Sequence, residues 1–278
     1  MTIAFLGTGR MGTELALHLL KEHDLVVWNR TSSKTERLVA AGATLASSPE
    51  EAVAGADIIV TSLFGPGTVR DVVINPRLIP EGVLWVDTTT VSPEDCTEFA
   101  EAVPSYVAAP VVGTLGPARA GSLGVYVGSA DEHYRHAAAA LVAPWADPER
   151  LVLVDAAPKA AVGKLLANLV LAVSAQGLKE ALLLGDSSGL SAEETLDMLN
   201  STGLAFIAGM KRPFVLGERP TTPGDFTADA IAKDARLMLN TATQPLPAVA
   251  SALNSLEEQQ QAGHGDEDFS VILTRRDS

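Results

Sequence analysis

A short β-prone run, Thr2–Leu6, leads directly into Gly7-Thr8-Gly9-Arg10-Met11-Gly12, and a leucine-rich stretch follows at once. This G-x-G-x-x-G order, set between an expected strand and an expected helix, constrains the fold more than any other feature of the chain. Gly7 permits the tight turn out of the strand. Gly9 lets the backbone approach a pyrophosphate, and Gly12 lets helix and strand pack closely. The N-terminus of the helix offers its unpaired N–H groups to phosphate, so residues 7–12, including Thr8, Arg10 and Met11, form the expected cofactor loop. A glycine-rich turn with no ligand can be spelled the same way, but the flanking elements favour the dinucleotide reading.

The rest of the first half alternates in the same manner. Residues 11–22 are expected to be helical, with Leu15, Leu19 and Leu20 on one face, and 24–28 to form a second strand. A helix over 33–41 would be closed by Gly42. Ser48-Pro-Glu-Glu51 opens another, combining a serine cap, a proline at the first position and acids in the first turn. Residues 58–62 make a continuous apolar run, as in a parallel strand covered on both faces. Further strands are expected over 83–86, 105–108, 123–127 and 151–154. The fold class is therefore an α/β Rossmann-type doubly wound domain.

After Asp155 the pattern changes. One helix is expected over 158–186, roughly 40 Å long. Others follow over 191–200, opened by a Ser191–Glu194 capping box, over 227–241 and over 246–261, with no convincing strand. These boundaries predict a nucleotide-binding domain over 1–156 and an all-α domain over 157–278 that begins with the long interdomain helix.

The end of the second strand selects the dinucleotide. NAD sites place a carboxylate there to bond the ribose 2′-hydroxyl. Here the residues are Asn29-Arg30-Thr31-Ser32, with no acid among them. Arg30 can pair with a 2′-phosphate, and Asn29, Thr31 and Ser32 can hydrogen-bond to it. The expected cofactor is NADP(H); a solvated basic turn is the alternative.

Composition narrows the partners. The formal charge of −14 argues against nucleic acid and anionic membrane surfaces, but not against an anionic cofactor, whose binding local loops set; the expected partner is a small-molecule substrate. The apolar run 165–173 is too short to span a bilayer, and no basic leader precedes the first strand. Cys96 is the only cysteine, so no intramolecular disulfide can form, and a reducing cytoplasm is expected. The histidines show no metal-binding spacing, and no G-x-S-x-G motif occurs.

About 150 residues beyond the glycine loop, Lys164 and Asn168 stand one turn apart on the long apolar helix. A lysine among Ala, Val and Leu loses solvation, which favours its neutral form. It could then give a proton to a carbonyl oxygen as hydride reaches carbon. Taken by itself, the pair fits a snorkelling lysine better than a proton donor.

Several ordered motifs, however, resemble those of the β-hydroxyacid dehydrogenases, the family of 3-hydroxyisobutyrate dehydrogenase and the glyoxylate and succinic semialdehyde reductases. They are the 7–12 loop, Asp87-Thr-Thr-Thr90, Ala109-Pro-Val-Val-Gly113, Gly121-Ser-Leu123, Lys164 with Asn168, Phe226, and Lys233-Asp234. The resemblance covers essentially the whole chain. It implies that Lys164 is the catalytic acid/base and Asn168 its partner at the substrate. It puts Thr90 beside the nicotinamide, Leu63 and Phe64 along the cofactor, and Lys233 in reach of cofactor or substrate. Phe226 and Asp234 would help complete the site, which the resemblance places between the domains. It also implies a homodimer or homotetramer.

One departure stands out. The family usually reads Ala-Pro-Val-Ser-Gly, where the serine and the following amides hold the substrate carboxylate. This chain has Val112 in place of that serine, followed by Gly113 and Thr114. Valine donates no hydrogen bond, so either carboxylate recognition is weakened or relocated, or the backbone amides suffice and Val112 only tunes affinity. The expected activity is NADPH-dependent interconversion of a small carbonyl compound, such as an aldehyde acid, and its hydroxy form. Imine reduction is the alternative enzyme class, because imine reductases also lack the serine, although they generally lack the lysine too. An NADPH-binding sensor without turnover is the non-enzymatic alternative.

Overall fold

The computed structural model describes residues 1–274. Its strands are β1 (Thr2–Leu6), β2 (Asp24–Trp28), β3 (Thr44–Leu45), β4 (Ile58–Thr61), β5 (Leu84–Asp87), β6 (Tyr106–Ala108), β7 (Val111–Val112), β8 (Leu123–Gly128) and β9 (Ala146–Val154). They form one sheet in the order β3-β2-β1-β4-β5-β6-β8-β7, with β9 also paired to β8. Pairing is parallel from β3 through β6, and β8 runs antiparallel to β6 and β7. The central strand is buried on both faces, since Ile3, Ala4, Phe5 and Leu6 are all fully buried. The strand order reverses between β1 and β4, and residues 7–12 leave β1 at that switch point, where dinucleotides bind doubly wound sheets.

The chain divides into two compact units, Met1–Lys164 and the residues from Leu165 onward. The division falls inside the helix Ala157–Ser187 rather than at its first residue. Ala157, Ala160 and Ala161 pack into a core of the first unit with Leu6, Trp85 and Phe99. The packing there is close, because a Cβ on Gly128 of β8 would stand 2.8 Å from the Cβ of Ala160. Leu165, Ala172, Ala175, Leu178 and Leu182 instead line a core of the second unit with Ile207, Ile231, Leu256 and Phe269. This helix is long and apolar enough to cross a membrane by length and composition. Its buried stripe, at helical spacing, serves as the spine of folded cores.

Some elements differ from expectation. The two-residue strands β3 and β7 are additional, and β9 begins at Ala146 rather than 151 because an edge strand can carry Pro148. Helices over Pro93–Ala102, Leu115–Ala120, Glu132–Val142 and Ala205–Val215 are also additional. The expected 33–41 helix is a 3₁₀ turn, Ser32–Thr35, followed by Glu36–Ala40. The helix after the glycine loop is Arg10–Leu19, shorter than the expected 11–22. In the second unit the helices Ala192–Leu199, Ala228–Thr241 and Pro247–Gln261 stand where the pattern put them. Ser191 and Glu194 form the capping box, and the described residues past Val154 contribute only an isolated bridge, Thr227 to Asp268.

Candidate active site

Two of the three loop glycines are required by the protein's own packing. Gly7 has φ +96°, and a Cβ there would meet the carbonyl oxygen of Ser62 at 2.4 Å. A Cβ on Gly12 would meet the Gly7 carbonyl oxygen at 2.1 Å. Gly9 is different, because nothing lies within 4 Å of the place its Cβ would occupy. Packing does not ask for glycine at this position, whereas close approach by a ligand does. Gly9 also caps the helix Arg10–Leu19, which has neither a side-chain cap nor an acid in its first turn. Its N–H groups therefore suit a phosphate. Beside them the buried Thr8 hydroxyl has no hydrogen-bond partner. These features fit a bound pyrophosphate. Met11 packs partly buried against the core, and Arg10 is exposed.

The helix behind the loop is anchored by Glu14, a residue the sequence pattern does not single out. Its carboxylate is 4% exposed and accepts bonds from Arg37 Nη1 (2.9 Å) and Arg119 Nε (3.1 Å). Burial by itself raises this carboxyl, but the two guanidinium groups outweigh that effect and hold it below its ordinary value.

Asn29 joins the loop to the turn after β2. Its Oδ1 accepts the Thr8 N–H at 3.1 Å, and its Nδ2 donates to the Thr31 carbonyl at 2.9 Å. Asn29 thus ties the glycine loop to the turn after β2. Arg30, Thr31 and Ser32 form the exposed turn, again with no carboxylate among residues 29–32.

A buried polar network supports the loop that follows β5. The Asp87 carboxylate accepts the Thr61 hydroxyl (2.7 Å) and the Thr89 N–H (3.0 Å). Trp85 Nε1 donates to Thr61 Oγ1 (2.9 Å), and Leu63 N–H donates to Thr89 Oγ1 (3.0 Å). Burial pushes the Asp87 carboxyl up to about 6 against these hydrogen bonds. Burial likewise pushes the Cys96 thiol, beside the Tyr106 hydroxyl, up to about 12. The network fixes Leu63 and the backbone leading to Thr90, while Phe64 is 59% exposed at the end of β4. An Asp at the carboxyl end of a parallel strand was the available signal for this network. Its partners Tyr106 and Thr61 lie 19 and 26 residues away, which local pattern does not reveal.

Val112 is half-buried on β7, opposite Gly124 of β8. Gly113 is exposed with φ +144°, and Thr114 caps the helix Leu115–Ala120 without a side-chain bond. Lys164, the last residue of the first unit, is 9% exposed.

In the second unit the Asp234 carboxylate brings two predicted residues together. It accepts Asn168 Nδ2 at 2.6 Å and the Lys233 ammonium at 2.5 Å. Asp234 is 2% exposed, so Lys233–Asp234 is not a surface ion pair. Phe226 packs edge-on against Phe269, centroids 6.0 Å apart. The backbone N–H groups of Asp225 and Phe226 donate to Asp268, a buried acid absent from the sequence-based set.

Loop, turn and helix N-terminus define the first unit as a dinucleotide-binding domain. Residues 2–146 match the family model of the NAD-binding domain of 6-phosphogluconate dehydrogenase. Residues 159–275 match that of the NAD-binding domain of NADP-dependent 3-hydroxyisobutyrate dehydrogenase. The chain is 28% identical to glyoxylate/succinic semialdehyde reductase 1 of Arabidopsis thaliana, over 98% of this chain and 97% of that one. It is 30% identical to 2-(hydroxymethyl)glutarate dehydrogenase of Eubacterium barkeri, over 98% and 93% respectively. The structure of Mycobacterium tuberculosis 3-hydroxyisobutyrate dehydrogenase with L-serine superposes with a TM-score of 0.83 at 26% identity, over 98% and 97%. The chain belongs to the β-hydroxyacid dehydrogenase family.

Proposed function

We propose that the enzyme reduces an aldehyde acid to its hydroxyacid, with Lys164 as the proton donor. The observation that carries this reading is a lysine only 9% exposed on an apolar helix, one turn before Asn168. Bound NADPH supplies hydride to the carbonyl carbon. Lys164 hydrogen-bonds the carbonyl oxygen and gives it a proton as negative charge develops there. Asn168 orients the substrate, and Asp234 fixes the amide of Asn168 through their 2.6 Å bond. Thr90 and Leu63 would flank a bound nicotinamide; the Leu63 N–H is fixed by Thr89 Oγ1, and the Thr89 N–H by Asp87. The test is NADPH oxidation with glyoxylate and succinic semialdehyde; no turnover of either defeats the substrate assignment.

Arg30 sets the cofactor preference in this reading. Arg30→Ala is expected to raise the KM for NADPH roughly tenfold or more, the worth of a charge-assisted bond, and to leave that for NADH nearly unchanged. A wild-type enzyme that prefers NADH tenfold sinks the assignment.

The working form is a homo-oligomer built on the long helix. Leu166 and Val170 lie one turn apart and are 58% and 63% exposed, and Leu184 (71%) and Phe206 (77%) are also open. Apolar side chains this exposed suit contact with a second copy. The Leu166→Glu/Val170→Glu double variant should shift the mass by light scattering to that of a monomer. A wild type already monomeric at micromolar concentration contradicts this reading. A cytoplasmic setting accords with the single, buried Cys96.

A further inference from the structure

Arg150 belongs to no core and no ion pair among the described residues. It lies on β9 beside Gly124 of β8. Its Nη1 donates to the Ser122 carbonyl at 3.3 Å. Its Nη2 stands 3.1 Å from the point a Gly124 Cβ would occupy, and the Cβ of Val112 stands 3.4 Å from that same point. Strands β7, β8 and β9 therefore set valine, glycine and arginine side by side on one face. The missing side chain at Gly124 is what makes room for the guanidinium.

Tyr126 lies two residues along β8 on that same face, about 7 Å farther on. Its ring is 3.0 Å from where a Cβ on Gly163 would be. Gly163 immediately precedes Lys164, so one surface of the first unit runs from the Arg150 guanidinium to the helical turn that carries Lys164. A guanidinium held by one carbonyl bond, with its remaining N–H groups in a planar fork, is suited to a carboxylate.

We propose that Arg150 binds the substrate carboxylate, the role for which Val112 has no donor. The inference rests on the aldehyde-acid reading above and sharpens it. The guanidinium stands beside Gly124, one two-residue strand step (about 7 Å) from Tyr126, so carboxylate and carbonyl must be spaced apart. A four-carbon semialdehyde satisfies that, whereas in glyoxylate the two carbons are directly bonded. The preferred substrate is the longer aldehyde acid.

The experiment compares wild type, Arg150→Met and Arg150→Lys in NADPH oxidation with succinic semialdehyde, glyoxylate and butanal. Wild type should prefer succinic semialdehyde to both others. Arg150→Met should raise the KM for succinic semialdehyde at least tenfold, with kcat, the KM for NADPH and turnover of butanal within twofold of wild type. Arg150→Lys should fall between. An Arg150→Met enzyme with unchanged KM for succinic semialdehyde, or with equal losses on butanal, overturns the role of Arg150 alone. Wild-type failure to reduce either acid overturns the underlying substrate reading as well.

Discussion

Lys164→Met is expected to lower kcat for carbonyl reduction by about 10²- to 10⁴-fold, the range in which positioned proton donors contribute. Methionine keeps much of the length and apolar volume of the lysine stem, so the packing that leaves Lys164 9% exposed should survive. Only the proton donor is removed. The cofactor loop lies on other elements, so NADPH affinity should stay within a few-fold of wild type. Initial rates with saturating NADPH, together with fluorescence titration of the cofactor, separate the two effects. A variant that keeps wild-type kcat removes Lys164 from the chemistry. Asn168→Ala should act more weakly and through both kcat and KM, because it orients rather than transfers.

The second large effect concerns stability. Lys211 and Asp268 are 3% and 0% exposed, with Nζ 2.7 Å from Oδ1. The ammonium also sits 3.6 Å from the centroid of Phe269. Asp268 further accepts the N–H groups of Asp225, Phe226 and Ser270. Lys211→Met leaves that carboxylate buried without its cation, a change that typically costs about 3–5 kcal/mol. Lys211→Met/Asp268→Asn should recover part of the loss, since the asparagine carbonyl still accepts backbone N–H groups. Urea unfolding of the three proteins decides it, and a Lys211→Met midpoint equal to wild type contradicts the account.

The same pair has a pH signature. Burial raises the Asp268 carboxyl, but the charge of Lys211 and the hydrogen bonds from Lys211 and Ser270 outweigh it, so its folded-state pKa is lowered. Its stabilising contribution is therefore present above the ordinary carboxylate range and is lost as pH falls through the lowered value. In Lys211→Met that loss should begin at higher pH.

What was legible in the sequence was local. The glycine loop could be read because its three glycines sit at fixed spacing between a strand and a helix, and Gly7 and Gly12 prove sterically obligatory. The caps Ser48 and Ser191 could be read because capping depends on residues three apart. The supports of the site were hidden for the opposite reason. Thr61 and Asp87 are 26 residues apart, and Asn168 and Asp234 are 66 apart, so their bonds exist only once the fold is made. Strand β9 was read short because Asp147-Pro148-Glu149 spells a turn, and only its edge position allows proline there. The helix Ala205–Val215 was missed because Pro213 interrupts its pattern near the C-terminal end.

One measurement bears most directly on the central claim: initial rates of NADPH oxidation by wild type and Lys164→Met, each with succinic semialdehyde and with a cyclic imine such as 1-pyrroline. The account predicts turnover of the aldehyde acid by wild type, its loss by two or more orders of magnitude in Lys164→Met, and little imine reduction by either. Imine reduction that outpaces the aldehyde acid and is indifferent to Lys164→Met would contradict it.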